Sequence, residues 1–209
     1  RLVRRKIKNK RERAKRDRNM CASGILLYCT RAAVFAAAVC ALWALWYALR
    51  GRKKAPLGRR AFWLRLLWLF YLAALVQITV LRSGREACSF WLRAQRGIRM
   101  NLRPSFTIRL EWRAGLWPSC YNVFGHIGWF MPFGLLGPAV RPRLRGFWCA
   151  VFSGALLSTA IELGQFALAS GSVDVDDILL NTLGALLGWL LWRGIRAVRQ
   201  KSRSRRAAE

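Results

Sequence analysis

The chain has 209 residues, with 37 Lys and Arg against 9 Asp and Glu, a net charge of +28, 55% hydrophobic residues, 11 Trp, 11 Phe and a single His. So many large apolar residues exclude a disordered basic tail, whereas the charge alone would suit a nucleic-acid-binding globule. The distribution excludes that class as well, and no nucleic acid is expected as a partner: apolar residues gather in blocks of about 20 with the charges between them, the pattern of an all-α polytopic membrane protein, a transmembrane helix bundle of about five spans in a lipid bilayer.

Residues 1–19 carry 11 Lys and Arg, and the first Met is Met20. Four of the seven Lys precede it, in a chain that otherwise uses Arg. The expectation is that Arg1–Asn19 is a basic extension, disordered or upstream of the native start. The alternatives are a cytoplasmic basic arm or, ranked below it, an arm for nucleic acid or anionic lipid. Residues 20–82 then hold two spans, Ala32–Leu49 and Ala61–Leu81, with Arg31 and Arg65 near enough to an interface to snorkel. Residues 83–198 hold a long loop and three spans, Tyr121–Val140, Phe147–Ala169 and Ile178–Val198, and residues 199–209 form a basic C-terminal tail. Trp toward the span ends suits an interfacial belt.

Alternation places Arg50–Arg60, Arg141–Gly146 and Arg193–Glu209 on one side, with 16 basic residues. The other side has 8 once Arg1–Asn19 is set aside. By the positive-inside rule the first side is cytoplasmic and the acidic loop before the last span is external. Six Cys show neither CxxC nor metal-ligand spacing. Cys21, Cys29, Cys40 and Cys149 read as small packing residues, and Cys88 and Cys120 in the long loop read as unpaired rather than as a disulfide.

Polar residues inside the spans are few and concentrated. Ser158, Glu162 and Gln165 stand at i, i+4 and i+7 on one helix face, and an ionisable group at the depth of Glu162 must face protein or a water-filled cavity. Asp174, Asp176 and Asp177 open the last span. One would serve as a helix cap, whereas three within four residues repel one another more than a cap requires. Asp177 and Asn181 share a face with Gly184 and Gly188, a GxxxG pattern that admits close approach of another helix or of a second copy of the chain. In the third span Asn122 and His126 share a face, and Met131-Pro132-Phe133-Gly134 predicts a kink. Alternation alone brings these residues and Asn101–Phe106 of the long loop to one membrane face.

Four stretches, NLRPSF from Asn101, GHIGWFMPFG from Gly125, IELGQ around Glu162 and DVDDILLNTLGALLG from Asp174, resemble the VanZ-like membrane protein family over about residues 80–195. The chain departs from the family's common pattern with His126 in place of Asn, and with Gly171 where Arg often precedes the acidic block. The resemblance implies a multi-pass protein of the bacterial cytoplasmic membrane with a role in the cell envelope. The family takes its name from a protein linked to teicoplanin resistance.

In a binding version, Asn101, Pro104, Phe106, Asn122, His126, Glu162, Gln165, Asp174, Asp176, Asp177 and Asn181 hold a polar or cationic group of an envelope lipid or cell-wall precursor. No cofactor is established; Asp174, Asp176, Asp177 and Glu162 have the hard oxygens that a divalent metal prefers. An enzyme version draws on His126, Glu162, Asp174 and Asp177, with His126 or Glu162 as general base and an Asp-bound metal polarising a phosphate or acyl group of a lipid-linked substrate. A transporter version makes Glu162 a proton-coupled carboxylate. No nucleophile motif, phosphate-cradling loop or zinc signature accompanies these residues.

Overall fold

A computed structural model describes Leu27 and residues 29–49, 58–81, 100–168 and 172–208. Arg1–Asn19 and Cys88 lie outside the described residues. In chain order the described elements are α1 (Cys29–Leu49), α2 (Arg59–Thr79), α3 (Phe106–Ala114), α4 (Leu116–Val140), a 3₁₀ turn at Pro142–Arg145, α5 (Phe147–Ala167) and α6 (Val175–Ala208). All but α3 are long and apolar enough to cross a membrane, and no strand occurs among the described residues. The architecture is therefore an all-α bundle of membrane-length helices. Large side chains such as Leu156 and Phe152 on α5 point outward, 72% and 66% exposed, because lipid takes the place of water around a spanning helix.

Two boundaries differ in an informative way from the sequence reading. The last helix runs through the expected basic tail to Ala208. Its 34 residues give a length of roughly 50 Å against a hydrocarbon core of about 30 Å, so its Arg-rich end stands clear of the acyl chains. The long loop contains a helix that the sequence reading does not anticipate. Phe106, Leu110 and Trp112 of α3 are exposed, interleaved with Arg109 and Arg113, and Gly115 turns the chain from α3 into α4 with φ 140°, a conformation that side chains rarely permit.

The seam between α4 and α6 is the centre of the bundle. A Cβ at Gly134 would fall on the Ala185 carbonyl. Cβ atoms at Gly184 and Gly188 would fall on the carbonyls of Ile127 and Met131. Small residues thus bring the two backbones into direct contact, as close helix pairing in lipid requires. The Gly184/Gly188 face thus packs on α4 of the same chain. The core around the seam consists of Leu75, Phe130, Phe133, Leu144, Ile161 and Ala185, with Trp68, Tyr71 and Leu157 packed against it.

The helix α4 continues through Pro132 and Pro138 without a break in its assignment. Proline removes an intrahelical donor and strains the preceding turn. Tyr71 of α2 donates its hydroxyl to the Trp129 carbonyl at 2.7 Å, tethering α2 to this turn; the carbonyl that Pro132 itself leaves without an i+4 donor is that of Gly128. Against the other flank of α2, Phe62 meets Trp43 and Tyr47 of α1 with ring centroids 5.6 Å apart in both pairs. The Cys40 thiol donates to the Leu66 carbonyl.

Candidate functional site

His126 of α4 faces two residues one turn apart on α6, Asp177 and Asn181, while Asn122, one turn before it, turns to α3. His126 Nε2 lies 3.3 Å from Asp177 Oδ1, and its Nδ1 lies 3.2 Å from Asn181 Oδ1. Both ring nitrogens thus lie against side-chain oxygens of α6. The Asn181 amide donates in turn to Ser158 Oγ at 2.8 Å. Ser158 and Asn181 are buried at 0% and 3% exposure, so the chain of contacts passes from the α4–α6 seam into α5. A buried polar group needs a partner, and each of these has one.

The acidic stretch divides into three separate tasks. Asp174 begins a parallel bridge to Asn101, in which Asn101 N–H donates to the Val173 carbonyl at 2.9 Å and Val175 N–H to the Asn101 carbonyl at 3.0 Å. Its carboxylate accepts the Asn101 side-chain amide at 2.9 Å, the Asp176 N–H at 2.9 Å and the Thr107 hydroxyl. The Asp176 bond is helix capping of α6 from within. Asp176 crosses to the other helix and accepts the backbone N–H groups of Ser105, Thr107 and Ile108. It caps the start of α3, where Ser105 holds a left-handed φ of 64° and offers no side-chain cap of its own. Asp177 alone turns to His126. The repulsion expected among three Asp is offset because two of them are saturated by donors.

Glu162 is buried at 1% exposure and accepts the Asp174 N–H through Oε2 at 3.1 Å. It therefore ties α5 to the start of α6 rather than lining an open cavity. Gln165 reaches elsewhere: its amide donates to the Thr79 carbonyl at the end of α2, at 3.3 Å. The one-face set Ser158, Glu162 and Gln165 thus serves three different neighbours. Pro104 and Phe106 are exposed, and the contribution of their stretch comes from the N–H groups of Ser105 and Thr107.

The proposed metal ligands do not assemble. Among the described residues no three His, Cys, Asp or Glu side chains are placed to hold a metal ion. The carboxylates of Asp174, Asp176 and Glu162 are turned to N–H and O–H donors, which is the chemistry of capping rather than of a cation cage.

Two site residues escape the sequence reading. Glu111 of α3 accepts the Asn122 amide through both carboxylate oxygens, at 2.9 and 2.8 Å. Thr107 accepts the Asn101 amide at 2.8 Å. Polarity within an apolar span drew attention to Asn122, whereas Glu111 and Thr107 lie in a mixed segment where polar residues are ordinary. Together Glu111, Asn122, His126, Asp177, Asn181 and Ser158 form a polar track from α3 into the bundle. In its middle an ionisable pair is part-open within the α4–α6 seam: the side chains of His126 and Asp177 are 29% and 20% exposed.

Comparison with known proteins places this track within a shared region. The VanZ/LLP1 family model matches residues 68–197, from the middle of α2 to the emerging end of α6. The chain is 30% identical to Protein VanZ of Enterococcus faecium over 122 residues, which is 58% of this chain and 68% of that protein. No solved structure matches the chain. With the polar track and the helices that carry it falling inside a match that covers more than half of the chain, the chain belongs to the VanZ/LLP1 family.

Proposed function

We propose that this VanZ-like protein sits in the bacterial cytoplasmic membrane and works in the cell envelope. It holds a polar or cationic group of an envelope lipid or wall precursor at the His126–Asp177 pair and so lowers susceptibility to glycopeptide antibiotics such as teicoplanin. One observation carries the reading: Asp177 and His126 are the part-exposed ionisable pair of the track, held on a scaffold whose other carboxylates are already saturated. A binding site built on rigid helices with fixed polar groups around it loses little on ligand capture. Asp177 offers its second carboxylate oxygen as an acceptor to an ammonium or hydroxyl group, while His126, engaged on both ring nitrogens, holds the Asp177 side chain in place. The excess of basic residues at the opposite end of the bundle favours an external mouth.

The test is teicoplanin susceptibility in a sensitive host carrying wild-type, Asp177→Asn or His126→Asn chains at matched membrane abundance. Loss of a charge-assisted hydrogen bond of about 2 kcal/mol weakens ligand capture roughly thirtyfold, so Asp177→Asn is expected to abolish protection. His126→Asn keeps an amide donor beside Asp177 and is expected to retain most of it. Full protection by Asp177→Asn overturns the reading. Loss with His126→Asn alone favours a membrane-embedded enzyme with His126 as general base acting on a lipid-linked substrate.

A further inference from the structure

At the end of the bundle opposite the polar track, α2 begins, α4 ends and α6 leaves the hydrocarbon. A groove of about 490 Å³ lies between them. Its rim carries Arg60 from α2 and Arg196, Arg199 and Arg203 from α6, and its floor includes Leu64 and Leu135. No Asp or Glu lines it, and no ion pair involves these arginines among the described residues.

The arrangement is unfavourable unless an anion completes it. Arg196, Arg199 and Arg203 stand at i, i+3 and i+7, where like charges on one helix face repel. Arg60 lies in the first turn of α2, whose positive dipole end disfavours a cation and which has no acidic residue and no side-chain cap. Arg196 is held over the Trp192 ring with its guanidinium 5.4 Å from the centroid, which fixes one charge at the rim. A solvated basic tail needs neither a groove nor an apolar floor, and this end of α6 has both.

We propose that the groove seats one anionic diacyl phospholipid, its phosphate among the four arginines and an acyl chain along Leu64 and Leu135. Guanidinium groups match phosphate oxygens in bidentate fashion, and basic pockets between helices at a membrane surface suit acidic headgroups. The lipid fastens the start of α2 to the overhanging end of α6. This site lies away from His126 and Asp177 and does not depend on the function proposed for them.

Native mass spectrometry of the full chain released from micelles containing phosphatidylglycerol or phosphatidylcholine tests the proposal. The wild type is expected to retain one phosphatidylglycerol with about a tenfold preference, and its thermal midpoint is expected to rise with that lipid alone. An Arg60→Gln/Arg199→Gln chain is expected to lose both effects. An Arg143→Gln/Arg205→Gln chain, with the same net charge and neither residue in the groove, is expected to keep them. Equal retention of the two lipids by the wild type overturns the proposal, as does equal loss in the two double variants. Unchanged retention in the groove variant also overturns it. The midpoint without lipid separates a lost site from a damaged fold, because all four substituted arginines are exposed.

Discussion

Gly188→Leu is expected to abolish the folded chain. Overpacking a core side chain commonly costs about 1–3 kcal/mol because neighbouring side chains can shift. At Gly188 the obstacle is backbone, namely the Met131 carbonyl and the Leu135 N–H, and neither can rotate aside. The helices α4 and α6 would have to separate, and the His126–Asp177 and His126–Asn181 contacts would go with them. The loss should therefore exceed about 3 kcal/mol, in the range that identifies a specific mechanism. Gly194→Leu is the matched control, since no atom lies within 4 Å of a Cβ at Gly194. Size-exclusion chromatography of fluorescently tagged chains should show aggregation for Gly188→Leu and a wild-type peak for Gly194→Leu. A monodisperse Gly188→Leu chain would mean that the two backbones are not in contact.

The second large effect is expected at Asp176. Removing its carboxylate with Asp176→Ala strands the N–H groups of Ser105, Thr107 and Ile108 beside a residue buried at 1% exposure. Each unsatisfied donor costs about 1–3 kcal/mol, so the start of α3 should detach from α6 while the spanning helices remain. Amide exchange at Thr107 and Ile108 should accelerate by a factor of roughly 100 or more, in line with about 3 kcal/mol of lost local stability. Amides within α5 should be unaffected. Unchanged protection at Thr107 would show that α3 is held by other contacts.

The spans are legible because a long apolar run has few interpretations, and an ionisable residue within one is costly enough to stand out. Glu162 and His126 stand out in that way, and helical spacing sets Asp177 with Asn181, both of which meet His126. What periodicity does not reveal is which element packs on a face. The Gly184/Gly188 pattern announces close approach, yet nothing in it distinguishes α4 of the same chain from a second copy. The carboxylates show the same boundary more sharply. Three Asp and a Glu read as ligands for a cation, whereas three of the four accept backbone N–H groups, and those donors have no letter in the sequence. Nothing marks Ser105 as left-handed either. Segment α3 reads as loop in the sequence because its nine residues mix Phe, Arg, Glu and Trp, too short and too polar to register as a span.

The proposed function requires the His126–Asp177 pair to meet the envelope from outside, and the sidedness of the acidic loop decides whether it does. A single Cys at Ser172, an exposed position just ahead of Asp174, is placed in a chain lacking its native Cys and treated with a membrane-impermeant maleimide. Labelling in intact cells, equal to that after permeabilisation, is the expected result and gives the pair access to wall precursors. Protection in intact cells with labelling only after permeabilisation would place the pair in the cytoplasm and contradict the proposed function.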